Sequence, residues 1–171
     1  MVRELMDEFL QVPEAERPDW EAYVDKLDAK DYQSVDSIEA EIRQSILKTL
    51  VDSTEGDGAE PETLATPLAV YTGTYENPGY HEFVLEAKEG KLFVNAEDRS
   101  FGFTGVFTHV ASQTMFTLRI TESKQIWGGQ DMTAIKAEFK LKDGKVSMLG
   151  LAMEPDMEGT DEEMIWLTPI T

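Results

Sequence analysis

From residue 68 onward the chain is cut into short runs of β-forming residues by corners of turn chemistry, and few architectures fit that pattern. The runs are "LAVYTGTY", "HEFVLEA", "KLFVNA", "SFGFTGVFTHV", "TMFTLRI", "MTAIKAEFKLK", "KVSMLGLAM" and "EMIWLTPI", and the corners between several of them are "ENPG", "KEGK", "SQ" and "KDGK". The corner Lys142-Asp143-Gly144-Lys145 carries the clearest signal, since Asp-Gly suits a two-residue hairpin turn between strands. Eight runs joined mostly by tight hairpins predict a mainly β chain, an eight-stranded antiparallel up-and-down barrel over residues 68–171. At eight strands a barrel interior holds side chains or one small ligand. A two-sheet sandwich is the alternative.

The first fifty-one residues have a different period. Val2, Leu5, Met6, Phe9 and Leu10 recur at helical spacing, as do Trp20, Tyr23, Val24 and Leu27, with Pro13 and Pro18 between the two sets. Asp36 followed three positions later by Glu39 resembles a capping box, and Ile38, Ile42, Ile46, Leu50 and Val51 supply the stripe of a third helix. Short helices need a partner surface in water, and these stripes offer one to each other, to the barrel or to a second copy in a homo-oligomer. "DSTEGDGAEPETLATP", residues 52–67, reads as an acidic linker with little to bury. On these boundaries the barrel is expected to fold without the helices.

Charge removes several function classes. The chain carries 34 acids against 15 bases, a formal −19, and both halves are acidic. Such a surface repels phosphate backbones and anionic lipid, so neither nucleic acid nor membrane is expected as a partner. The absence of cysteine removes disulfides, thiolate catalysis and thiolate metal sites. The opening "MVRELMDEFLQV" has no long apolar core of the signal-peptide kind, and no run approaches a membrane span. A cytoplasmic protein is the expectation, and Met1 ahead of the helices favours a complete small protein.

The hairpin "L-x-x-Y-x-G-x-Y-x-x-P-G-Y", formed by Leu68, Tyr71, Gly73, Tyr75, Pro78, Gly79 and Tyr80, resembles the first hairpin of a lipocalin-like domain. That domain stands at the C-terminus of many β-lactamase-related serine hydrolases, including fungal ones. The resemblance continues through "THVASQTMF", "AEFKLKDGKVSMLGLAMEP" and "MIWLTPI", while "LMDEFLQVPEAERPDWEAYVDKL" looks like the helical connector before the barrel. The resemblance implies a lipocalin-like barrel in which the tyrosines close one end. One departure is His81, where the family usually has glycine. A catalytic domain of the β-lactamase type needs a few hundred residues for which this chain has no room. "SILK" (Ser45 to Lys48) and "YEN" (Tyr75 to Asn77) mimic motifs of those enzymes, but Ser45 falls mid-helix and Tyr75 is used by the hairpin, so serine acyl chemistry is not expected.

Candidate site residues come from the strand period. Phe101, Phe103, Gly105, Phe107 and His109 share one face of their strand, with Gly105 leaving a gap among large rings. If that face points inward it lines an apolar ligand cavity, with His109 as polar contact and candidate catalytic group. Met115, Trp127 and Trp166 are further wall candidates, and Arg119 holds an anion if it faces inward. The competing interpretation is plain barrel core, with His109 hydrogen-bonded to a neighbour. A metal site from His81 and His109 lacks carboxylate partners, and no cofactor is expected.

Three functional readings follow. The first is a free-standing barrel that accommodates a small apolar molecule. In a second, the same cavity makes it a cofactor-independent cyclase or isomerase, pericyclase-like, in a natural-product pathway, since such steps need shape more than a nucleophile. The third is a non-catalytic accessory or assembly domain of a β-lactamase-like serine hydrolase. The cavity is the leading expectation, and with it Gly105→Leu folds normally and blocks the ligand.

Overall fold

Type I′ corners set the strand pairing. Glu89-Gly90 and Asp143-Gly144 both adopt positive φ (51° and 75°, 53° and 74°), which matches the right-handed twist of the strands they join. The computed structural model describes residues 9–13, 17, 19, 34–53, 63–100, 102–122, 131–153 and 164–170. Among these the strands are β1 (Gly73–Asn77), β2 (His81–Lys88), β3 (Lys91–Ala96), β4 (Phe103–Ala111), β5 (Met115–Glu122), β6 (Asp131–Lys142), β7 (Lys145–Leu151) and β8 (Ile165–Ile170). Each pairs antiparallel with its neighbour in sequence, and β8 returns to β1 to close the barrel. The up-and-down barrel is therefore the fold, and the sandwich is set aside. Up-and-down topology puts the β1–β2, β3–β4, β5–β6 and β7–β8 connections at one end, called here the lower end. The β2–β3, β4–β5 and β6–β7 turns lie at the upper end.

Helix α1 (Val35–Ser53) lies along the outside of β4, β5 and β6. Its stripe keeps Ile42, Ile46 and Leu50 of those read from sequence and adds Leu47: Ile46 is buried against Val110 and Ala111, with Ile42, Leu47, Leu50 and Met115 packed around them. Val51 falls off the stripe and is exposed. Glu39, read as a capping residue, serves the packing instead. Its carboxylate accepts from Arg119 Nε at 3.0 Å, Arg119 Nη2 at 2.6 Å and Thr117 Oγ1 at 2.9 Å. Arg119 also donates to Asp36 and, at 3.2 Å, to Asp131.

Val35–Thr171 is one compact unit and Met1–Ser34 is another. The barrel unit thus begins with α1, earlier than the boundary at residue 68 drawn from composition. Residues 63–67 are also bonded to the barrel. Gln113, in the β4–β5 turn, accepts from the Ala65 and Thr66 amides and donates to the Thr63 carbonyl. Leu64 packs on the core. The expected helices over residues 2–8 and 20–27 and the linker segment 54–62 lie outside the described residues. Phe9 and Leu10 are described and exposed.

Glu39 makes the attachment of α1 pH-dependent. Burial pushes its carboxyl up, but the hydrogen bonds from Arg119 and Thr117 and the fields of Arg119 and Arg43 outweigh this and hold it below the ordinary value of 4.5. A carboxyl lowered by folding stabilises the native state above its unfolded value, and that contribution is lost as pH falls through the folded value. Stability should therefore step down as pH drops through and below about 4.5. Urea unfolding across that range should show the step in the wild type and a reduced step in Glu39→Gln, whose stability at neutral pH should be lower by about 1–3 kcal/mol.

Candidate functional site

The barrel interior is the first place where the sequence puts a site. Phe103, Gly105 and Phe107 do share the inward face of β4, and all three are buried. The space beside Gly105 is occupied. A Cβ built there would lie 2.6 Å from Leu118 Cδ1, 3.1 Å from Val94 Cγ1 and 3.1 Å from the Arg119 carbonyl oxygen. The glycine admits a leucine side chain from the next strand. Above it the rings interlock around Phe139, whose centroid lies 4.9 Å from Tyr71, 5.2 Å from Phe116, 5.8 Å from Phe107 and 6.3 Å from Tyr75. The contacts of Tyr71, Tyr75 and Phe116 are edge-to-face, an arrangement favourable at these distances beyond the area it buries.

Tyr71 crosses the upper end, fully buried, and donates its hydroxyl to the Gln113 carbonyl at 2.6 Å. Tyr75 donates to the Tyr71 carbonyl at 2.8 Å, and burial pushes its phenol up to about 12. The hydroxyl that "YEN" would offer to catalysis is thus sealed in the core, while Ser45 of "SILK" is exposed on α1. His109 also turns inward at the upper end, half-buried, with its ring edge-on to Phe116 at 5.2 Å.

The other wall candidates do not join this face. Arg119 points outward, where α1 and Asp131 take up its guanidinium, so it holds no anion in the interior. Met115 packs under α1. Trp166 lies on the outer wall against Gly150, where an added Cβ would come within 2.8 Å of the indole, and Lys140 Nζ stands 3.7 Å from its centroid. Strand alternation gives the reason for Arg119, since its neighbours Leu118 and Ile120 take the inward positions. Phe101 and Trp127 lie outside the described residues.

A second site, which the sequence did not assemble, is a groove of about 550 Å³ at the lower end, lined by His81, Glu82, Asp98, Arg99 and Ser100. Arg99 organises it. Nη1 donates to the Tyr80 carbonyl at 2.8 Å, Nη2 to the Glu82 carbonyl at 2.6 Å, and Nε to Asp98 at 3.0 Å, while the guanidinium stands 4.6 Å from the Phe83 centroid. The hydrogen bond from Arg99 lowers the Asp98 carboxyl. Arg99 so ties the β1–β2 turn to the β3–β4 connection and covers the Phe83 ring. Nothing in "AEDRS" signals this, because Arg99 works on carbonyls some seventeen and nineteen residues away. His81 was legible as a departure, and its φ of 61° explains why glycine suits the position. A histidine there carries backbone strain of about 1 kcal/mol or more. His81 and His109 sit toward opposite barrel ends, and among the described residues no group of three His, Cys, Asp or Glu side chains is placed to hold a metal. No helix among them is long and apolar enough to cross a membrane.

A family model described as "Domain of unknown function (DUF3471)" matches residues 58–168, more than half of the chain. No curated protein and no solved structure matches.

Proposed function

The chain belongs to the DUF3471 family, and from that premise we propose that its barrel is a non-catalytic accessory or assembly module of the kind attached to β-lactamase-related serine hydrolases. The observation that carries this reading is the filling at Gly105. The gap that favoured an apolar ligand is taken by Leu118 and Val94, and the face around it is packed ring against ring. The small-molecule and cyclase readings need that volume, so they rank below the module reading here. The charge cluster on α1 is likewise spent on fixing the helix to the wall. Phe9 and Leu10, 88% and 65% exposed, are apolar groups that a partner domain or a second copy would cover.

A neutral apolar dye tests the reading without help from the acidic surface. Titration of the native protein with Nile red at neutral pH should give weak emission that rises without saturating. Saturable one-to-one binding would reinstate an interior cavity, and with it the small-molecule reading.

A further inference from the structure

Lysines gather where the rest of the chain is acidic. Residues 136–145 hold Lys136, Lys140, Lys142 and Lys145 against Glu138 and Asp143, a local net of +2 on a chain of −19. Lys142 and Lys145 stand directly opposite each other across β6–β7, beside the Asp143-Gly144 turn. The β2–β3 hairpin repeats the opposed lysines, with Lys88 opposite Lys91 beside Glu89-Gly90, although Glu86 and Glu89 balance the charge of residues 86–91. Both tips lie at the upper end of the barrel. In both hairpins a lysine also leans on an outward aromatic ring: Lys88 Nζ is 4.6 Å from the Phe93 centroid, and Lys140 Nζ is 3.7 Å from that of Trp166.

Like charges placed directly opposite in an antiparallel ladder destabilise it. The usual reason for lysines on strands, protection of an open sheet edge, does not apply to a closed barrel. Lys88 has an ion pair with Glu86 at 2.7 Å, whereas among the described residues no carboxylate stands within ion-pair distance of Lys91, Lys142 or Lys145. We propose that the β2–β3 and β6–β7 tips form a docking surface for an acidic segment of a partner protein. The inference goes beyond the module reading, because the tips keep their charge whatever the interior holds. A narrow segment is favoured over an anionic membrane. With charges screened beyond about 8 Å at physiological salt, a slim acidic chain feels the tips, while a continuous lipid surface also meets the acidic walls.

The test uses fluorescein-labelled deca-glutamate and, separately, phosphatidylserine vesicles, with the full chain and its Lys142→Gln/Lys145→Gln variant. The peptide should bind the wild type in a salt-sensitive way, and the variant should bind about tenfold or more weakly. The variant's melting temperature should equal or exceed that of the wild type, since an opposed like-charge pair has been removed. Undiminished binding by the variant, absence of peptide binding by the wild type, binding to vesicles alone, or a lowered melting temperature would each overturn the proposal.

Discussion

A fragment of residues 68–171 should melt about 10 °C or more below the 35–171 unit, or aggregate, although it contains every strand among the described residues. The fragment lacks α1 and the segment that Gln113 holds. Ile46 alone is 2% exposed, and burial of such a side chain contributes about 1.5–3 kcal/mol. Ile42, Leu47 and Leu50 add partial burial against the same wall. Removing the helix also leaves Val110, Ala111 and Met115 uncovered. Against a typical domain stability of about 5–15 kcal/mol, this loss is a large share. Residues 35–171 should show a single cooperative transition by circular dichroism. Equal melting temperatures for the two fragments would mean that α1 rests on a wall complete without it.

That expectation reverses the one drawn from composition, and the reason is instructive. "DSTEGDGAEPETLATP" looks like a spacer because its side chains bury little. The stretch from 63 to 67 is nevertheless fixed by backbone groups, which composition does not display. The turns were legible because their chemistry is local: Asp143-Gly144 needs positive φ and its residues tolerate it. The inward phenylalanines were legible because strand alternation is local too. The partner of Arg119 was not, since the Glu39 that takes up its guanidinium lies eighty residues away. The register shift between His109 and Ala111 was equally hidden, and Val110 and Ala111, consecutive in sequence, are both buried there.

The groove at the lower end shows the same limit. His81 holds a φ of 61°, a strained value that suits glycine better, and it lies on the groove's lining. The four other lining residues come from the same strand start and from the β3–β4 connection, brought together by the pairing of β2 with β3. Their convergence follows from register, which no short motif encodes.

Gly105 is where sequence and structure part most sharply. A glycine on an aromatic strand face reads identically whether it borders a void or a neighbour's methyl group. Here the neighbour is Leu118, a diagonal position on β5, and its Cδ1 stands where a Cβ would be. The Arg119 carbonyl and Val94 leave little room for Leu118 to retreat. Equilibrium urea unfolding of Gly105→Leu against the wild type therefore tests the filled interior most directly. Inserting a leucine side chain into packed core costs about 1–3 kcal/mol, and the variant should lose stability on that scale or fail to fold. A Gly105→Leu protein as stable as the wild type would contradict the filled interior and return the barrel to a ligand-binding role.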